Sequence, residues 1–280
     1  MSGGDVMTST ASGERGRLVV AHVRKQMFFG VSALLFAASA TLTTTWAASM
    51  SAMGEMVMPG GWTMSMTWMR MPGQTWPGVA ASFLGMWVVM MVAMMLPSLV
   101  PVLWKYHEAV GRTRQTHIGW LTVLAGAGYF FVWTVSGLAA FPLGVALATI
   151  EMRQPPLARA VPLAIGIVVL IAGALQFTAW KARQLACCRD AAGLDITPPV
   201  NAGTALQHGM RLGLQCGPCC ANLMVILLVF GVMDLQAMAV VTAAITIERL
   251  APAGERVARA IGAIAACAGL ALIARAAGLA

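Results

Sequence analysis

From Gly78 to Leu103 the chain runs for 26 residues without one charged side chain. About 20 such residues are enough to cross the hydrocarbon of a bilayer as a helix. Only a helix or a closed barrel can satisfy its backbone hydrogen bonds in that medium. Comparable runs recur at Met27–Ala48, Ala160–Trp180 and within Leu212–Met233, Leu235–Ile247 and Ala260–Ala274. A further run, Ile118–Ile150, exceeds the length of one crossing, and Gly137, Pro142 and Gly144 are expected to end its regular helix or tilt it. Charged residues make up 10% of the chain, against about a quarter in soluble domains. The expected fold is therefore all-α, a polytopic membrane helix bundle of about seven transmembrane helices.

The formal charge of +8 does not indicate nucleic acid, because most of the basic residues stand in short loops between apolar runs. They are a topology signal. With the N-terminus in the cytoplasm, 14 basic residues fall inside, among them Arg24, Lys25, Lys105, Lys181, Arg189 and Arg249. Four, namely Arg70, Arg153, Arg159 and Arg275, fall outside. Residues 1–26 read as a polar cytoplasmic tail ahead of a signal anchor, since the 22-residue apolar run that follows exceeds a cleavable signal's core. Residues 27–280 read as a single transmembrane domain with a methionine-rich outer loop at 49–77.

Of 21 methionines, 13 lie between Met50 and Met95. The outer loop holds Met50, Met53, Met56, Met58, Met64, Met66, Met69 and Met71, with Trp62, Trp68 and Trp76 between them. Thioethers bind Cu(I) without losing a proton, so such a loop can capture copper where thiols would be oxidised. The plainer reading is an interfacial segment in which tryptophan marks the headgroup level. Within the second span Met86, Met90 and Met94 recur at helical spacing, and Met91 and Met95 form a neighbouring row. Together they form a sulfur stripe reaching the middle of the span, though methionine also packs well as a gap-filler.

Thiols gather on the predicted inner side. Cys216, Cys219 and Cys220 share a helical face, but Gly217-Pro218 between them predicts a broken element, with a new helix starting near Pro218. Cys219 and Cys220 would then occupy its first turn, where the helix dipole favours the thiolate that ligates metal. Cys187 and Cys188 follow the fourth span on the same side. Five cysteines at one face suffice for a two- or three-coordinate Cu(I) site or a four-coordinate zinc site. Cys267 is expected to be a small buried hydrophobe. His208, Met210 and Met224 are possible auxiliary ligands, and His107, Glu108 and His117 are expected to be solvated loop residues. Glu248-Arg249 closes the sixth span, where the carboxylate is expected to form an interfacial ion pair with a basic neighbour.

The run Gly85-Met-Trp-Val-Val-Met-Met-Val-Ala-Met-Met-Leu-Pro-Ser98, the Cys-Gly-Pro-Cys-Cys element at 216–220 and Glu248-Arg249-Leu250 resemble a family of predicted metal-binding integral membrane proteins. That family is associated with copper chaperones that mature a bacterial tyrosinase-type copper oxidase. The resemblance spans about Gly78 to Pro252. It implies a non-enzymatic copper chaperone or delivery protein of a bacterial cytoplasmic (inner) membrane, with Met90, Met91, Met94, Met95, Cys216, Cys219 and Cys220 as metal-binding residues. Its implied partners are the copper ion and a copper-dependent oxidase or periplasmic copper carrier. Read from the residues alone, the thiols also admit a membrane thiol-disulfide oxidoreductase, or a structural subunit of a membrane complex stabilised by zinc. No Gly-x-x-x-x-Gly-Lys-Ser/Thr run or phosphorylatable Asp-Lys-Thr-Gly element is present, which argues against direct ATP-driven pumping.

Overall fold

The computed structural model describes residues 4–52, 56–57, 62–64, 68, 70, 73–112, 117–190 and 201–278. They form eight helices, and the outer loop adds one antiparallel pairing of β1 (Met56–Val57) with β2 (Thr63–Met64). The helices are α1 (Gly4–Ala52), α2 (Trp76–Gly111), α3 (Ile118–Arg153), α4 (Pro155–Leu175), α5 (Ala179–Asp190), α6 (Ala202–Phe230), α7 (Leu235–Leu250) and α8 (Gly254–Ala276). Six of them, α1 to α4, α6 and α8, are long and apolar enough to cross a membrane. The molecule is a polytopic helix bundle whose outward faces carry large apolar side chains such as Leu34, Trp120, Phe131, Val240 and Ile264. The sixth expected span corresponds to α7, whose 16 residues rise only about 24 Å.

Several helices run further than their sequences suggest. The polar tail continues straight into the first span as one 49-residue helix, because no proline occurs before Pro59 to interrupt it. Helix α2 is capped by Thr75, whose side chain accepts from Gly78 N–H, and continues past Leu103 to Gly111 with Pro97 and Pro101 inside it. Helix α3 continues through Gly137, Pro142 and Gly144 to Arg153 and is not ended there.

The largest departure concerns α6. It is one continuous helix through Gly217-Pro218, not two elements meeting there. Its start is fixed upstream by a reciprocal cap, in which Asn201 Oδ1 accepts from Thr204 N–H at 2.9 Å and Thr204 Oγ1 accepts from Asn201 N–H at 2.8 Å. Pro218 removes one helical hydrogen bond, a loss that membrane helices absorb when neighbours support them. Here α3 is that neighbour. A Cβ at Gly209 would overlap the carbonyl of Ala125, and one at Gly128 would meet the backbone of Leu206 and Met210. Glycine at these two positions lets α3 and α6 touch backbone to backbone.

The fourth expected span also ends early. Helix α4 stops at Leu175, a turn covers Gln176–Thr178, and α5 carries Lys181 back into the bundle. The main core is a single buried cluster drawn chiefly from α2, α3, α6 and α7, with Leu185 and Cys188 supplied by α5.

Candidate metal-handling centre

Helix α2 buries one sulfur-bearing face. Met86 is 6% exposed, Met94 is 1%, and Met90, Met91 and Met95 are fully buried. Because α2 is helical throughout, their spacing places them along one side, turned into the buried core. Cys188, Cys216, Cys219 and Cys220 belong to the same cluster. The methionine row and the thiols thus share one buried interior.

Cys216 is at the middle of that interior, halfway along α6 instead of at its entrance. Its Sγ lies 3.5 Å from Cys220 Sγ, one helical turn on. Two further groups donate to the same sulfur: Tyr129 Oη from α3 at 3.1 Å and Arg249 Nη1 from α7 at 3.3 Å. The glycine contact explains Tyr129, since close approach of α3 and α6 brings the phenol onto the thiol. Arg249 Nη1 also donates to Ser98 Oγ at 2.9 Å, while Ser98 Oγ donates to the carbonyl of Met95 at 3.0 Å. Ser98 therefore joins the inner end of the methionine row to Cys216 through one guanidinium.

A second polar centre flanks the thiols. Lys181 Nζ donates to Glu248 Oε2 at 2.7 Å, and both side chains are almost fully buried. The same ammonium donates to the carbonyl of Cys219 at 2.8 Å, and Gln176 Nε2 donates to Glu248 Oε1 at 2.8 Å. Glu248 does pair with a base, as expected, but the pair is deep and its partner is Lys181, which sequence reasoning left in a cytoplasmic loop. The turn at Gln176–Thr178 is what delivers it. Arg189 closes the far end of α7 by donating to the carbonyls of Glu248, Ala251 and Pro252.

The thiols divide by position. Cys188 on α5 is 5% exposed and reaches the α6 cluster, whereas its neighbour Cys187 faces outward. Hydrogen bonds to the Cys216 and Cys219 sulfurs, together with burial, push the Cys188 thiol up. Four cysteines converge, not five. Cys267 is exposed on α8 and not buried as expected, because α8 packs on α4 through another face. All six thiols are free.

The auxiliary candidates separate similarly. Met224 joins the cluster, while Met210 is only partly buried. His208 stacks on Tyr106 at 4.9 Å, and its Nε2 has no hydrogen-bond partner among the described residues. Glu108 and His117 are exposed as expected, but His107 is buried, with Nδ1 3.1 Å from Thr122 Oγ1. Its burial follows from the extra turns of α2. In the outer loop, Met53, Met58, Met66, Met69 and Met71 lie outside the described residues. Two of that loop's tryptophans pack against the bundle: Trp62 Nε1 donates to the Ala158 carbonyl at 2.8 Å, and Trp68 lies 5.2 Å from Phe83.

No group of three or more His, Cys, Asp or Glu side chains among the described residues stands ready to hold a metal ion. The donor chemistry is nonetheless one-sided. Four buried thiols and seven buried thioethers, five of them in the α2 row, are soft ligands suited to Cu(I). Sequence reasoning missed Tyr129, Lys181 and Ser98. The available signal was a tyrosine or a lysine within or beside an apolar run, where a polar group is costly unless it has a purpose.

The family described as copper chaperone, PpoB2, matches the chain over residues 84–272. The match covers about two thirds of the chain and takes in the whole methionine row of α2, every cysteine and Arg249. No curated protein and no solved structure matches it.

Proposed function

The chain belongs to the copper-chaperone family, and on that premise we propose that it receives Cu(I) on the methionine row of α2 and holds it on the thiols of α5 and α6. The observation that carries this reading is the continuity of the two sulfur sets, joined at Met95, Ser98, Arg249 and Cys216. Thioethers bind the ion weakly and without proton exchange, so they suit movement. Thiolates bind it tightly, so they suit retention. The gradient between them favours passage from the methionine end toward the cysteines.

In this reading the N-terminus is cytoplasmic, the membrane is a bacterial cytoplasmic membrane, and the methionine end faces outward. Copper is the cargo, and the recipient is a copper-dependent oxidase or a periplasmic copper carrier. Release outward then requires a partner that competes for the ion with its own soft ligands. The protein performs no bond-making chemistry on a substrate.

Anaerobic Cu(I) titration of the detergent-purified protein against a chromogenic competitor tests this, with the Cys216→Ser/Cys219→Ser/Cys220→Ser variant beside it. Competitive binding of at least one ion, lost in a variant that still elutes as folded protein, is the expected result. Binding that survives in the variant, or none in the parent, removes the thiol site.

A further inference from the structure

Two cations reach the thiol cluster, and they are held differently. Lys181 is neutralised by Glu248 at 2.7 Å. Among the described residues Arg249 forms no ion pair; its Nη1 is spent on Ser98 Oγ at 2.9 Å and Cys216 Sγ at 3.3 Å. An unpaired guanidinium against a fully buried sulfur is unfavourable unless negative charge develops there.

Resting on the copper-holding reading above, we infer that Arg249 sets the charge of the ion the cluster accepts and is its selectivity residue for Cu(I) over Zn(II). Binding is a balanced exchange: Cu(I) joins two thiols and two protons leave to the solvent. The resulting bis-thiolate carries one negative charge, and Arg249 cancels it. Zinc on the same two thiolates is already neutral, so Arg249 leaves an uncompensated positive charge in a low-dielectric interior. Methionine sulfurs complete either coordination shell without altering the count. Ser98 is the positioning residue, because it holds the guanidinium on the Cys216 side.

Cu(I) and Zn(II) affinities are measured separately by competition on detergent-purified parent, Arg249→Met, Arg249→Lys and Ser98→Ala proteins. In Arg249→Met, Cu(I) affinity is expected to fall about a hundredfold while Zn(II) affinity holds or rises, inverting part of the preference. Arg249→Lys keeps the charge and is expected to stay within about tenfold of the parent for Cu(I). Ser98→Ala, which leaves both charge and sulfur in place, gives a several-fold loss for Cu(I) alone and carries the test if Arg249→Met does not fold. Equal losses for the two metals, or no change in their ratio in any variant, overturn the inference. Absence of Cu(I) binding in the parent instead overturns the reading beneath it.

Discussion

The methionine row and the thiol cluster are both buried sulfur, yet they are built by opposite means. The row lies on one helix, and its five residues meet because α2 keeps a single helical register from Met86 to Met95. The cluster is assembled from α5 and α6, steadied by a phenol from α3 and a guanidinium from α7. The row has apolar surroundings, whereas the cluster adjoins a buried ion pair and an arginine. A neutral donor set asks only for space. A donor set that must become charged asks for counter-charges, and these come from elsewhere in the chain. Under the proposed function, this difference in support is what would suit the methionines to conduct and the thiols to hold.

Replacing Cys216 alone separates the two roles most sharply. Cys216→Ser is expected to lower Cu(I) affinity by at least about a hundredfold, since even supporting residues of metal sites contribute ten- to a hundredfold. Competition titration reads it, and a loss below threefold makes the cluster no tighter than the row. Next in size is the ion pair. Lys181→Met should destabilise the folded protein by about 3 kcal/mol, read by unfolding in mixed detergent, because Glu248 is left buried and unpaired. The double variant Lys181→Met/Glu248→Leu should recover most of that loss; if it does not, Lys181 matters for more than charge balance.

Met90→Leu/Met94→Leu preserves volume, so each change should cost under about 1.5 kcal/mol in stability. It should nevertheless slow copper loading of the thiols while leaving their equilibrium affinity within about tenfold. Unaltered loading kinetics would reduce the row to packing. The smallest contrast lies inside the cysteine pair on α5. Cys187 is exposed and Cys188 is buried, so iodoacetamide at neutral pH should modify Cys187 first. Mass mapping that found Cys188 labelled as fast would show α5 lifted from the bundle.

The row was legible in the sequence because a helix turns a spacing into a face. Met86, Met90 and Met94 could be placed on one side before any tertiary contact was known. The transmembrane class was equally plain from the uncharged runs. The cluster was legible only as an inventory. Its cysteines could be counted, but their depth was misjudged, because Gly217-Pro218 reads locally as a break while the cap at Asn201 and the contact with α3 carry the helix through. Lys181 and Tyr129 were hidden for a different reason. Each acts across the fold, 67 residues from Glu248 and 87 from Cys216 respectively, and no local pattern encodes a partner at that distance.

The same separation bears on how the protein is made. Lys181 leaves the ribosome 67 residues ahead of Glu248, the carboxylate that neutralises it. Alone at the centre of a bilayer, a lysine is disfavoured by about 3 kcal/mol. Until α7 brings Glu248, Lys181 has no carboxylate to neutralise it, so burying α5 beside α6 before then is costly. A chain that stops before residue 248 carries the whole methionine row, while its Lys181 lacks Glu248 and its Cys216 lacks the Arg249 guanidinium.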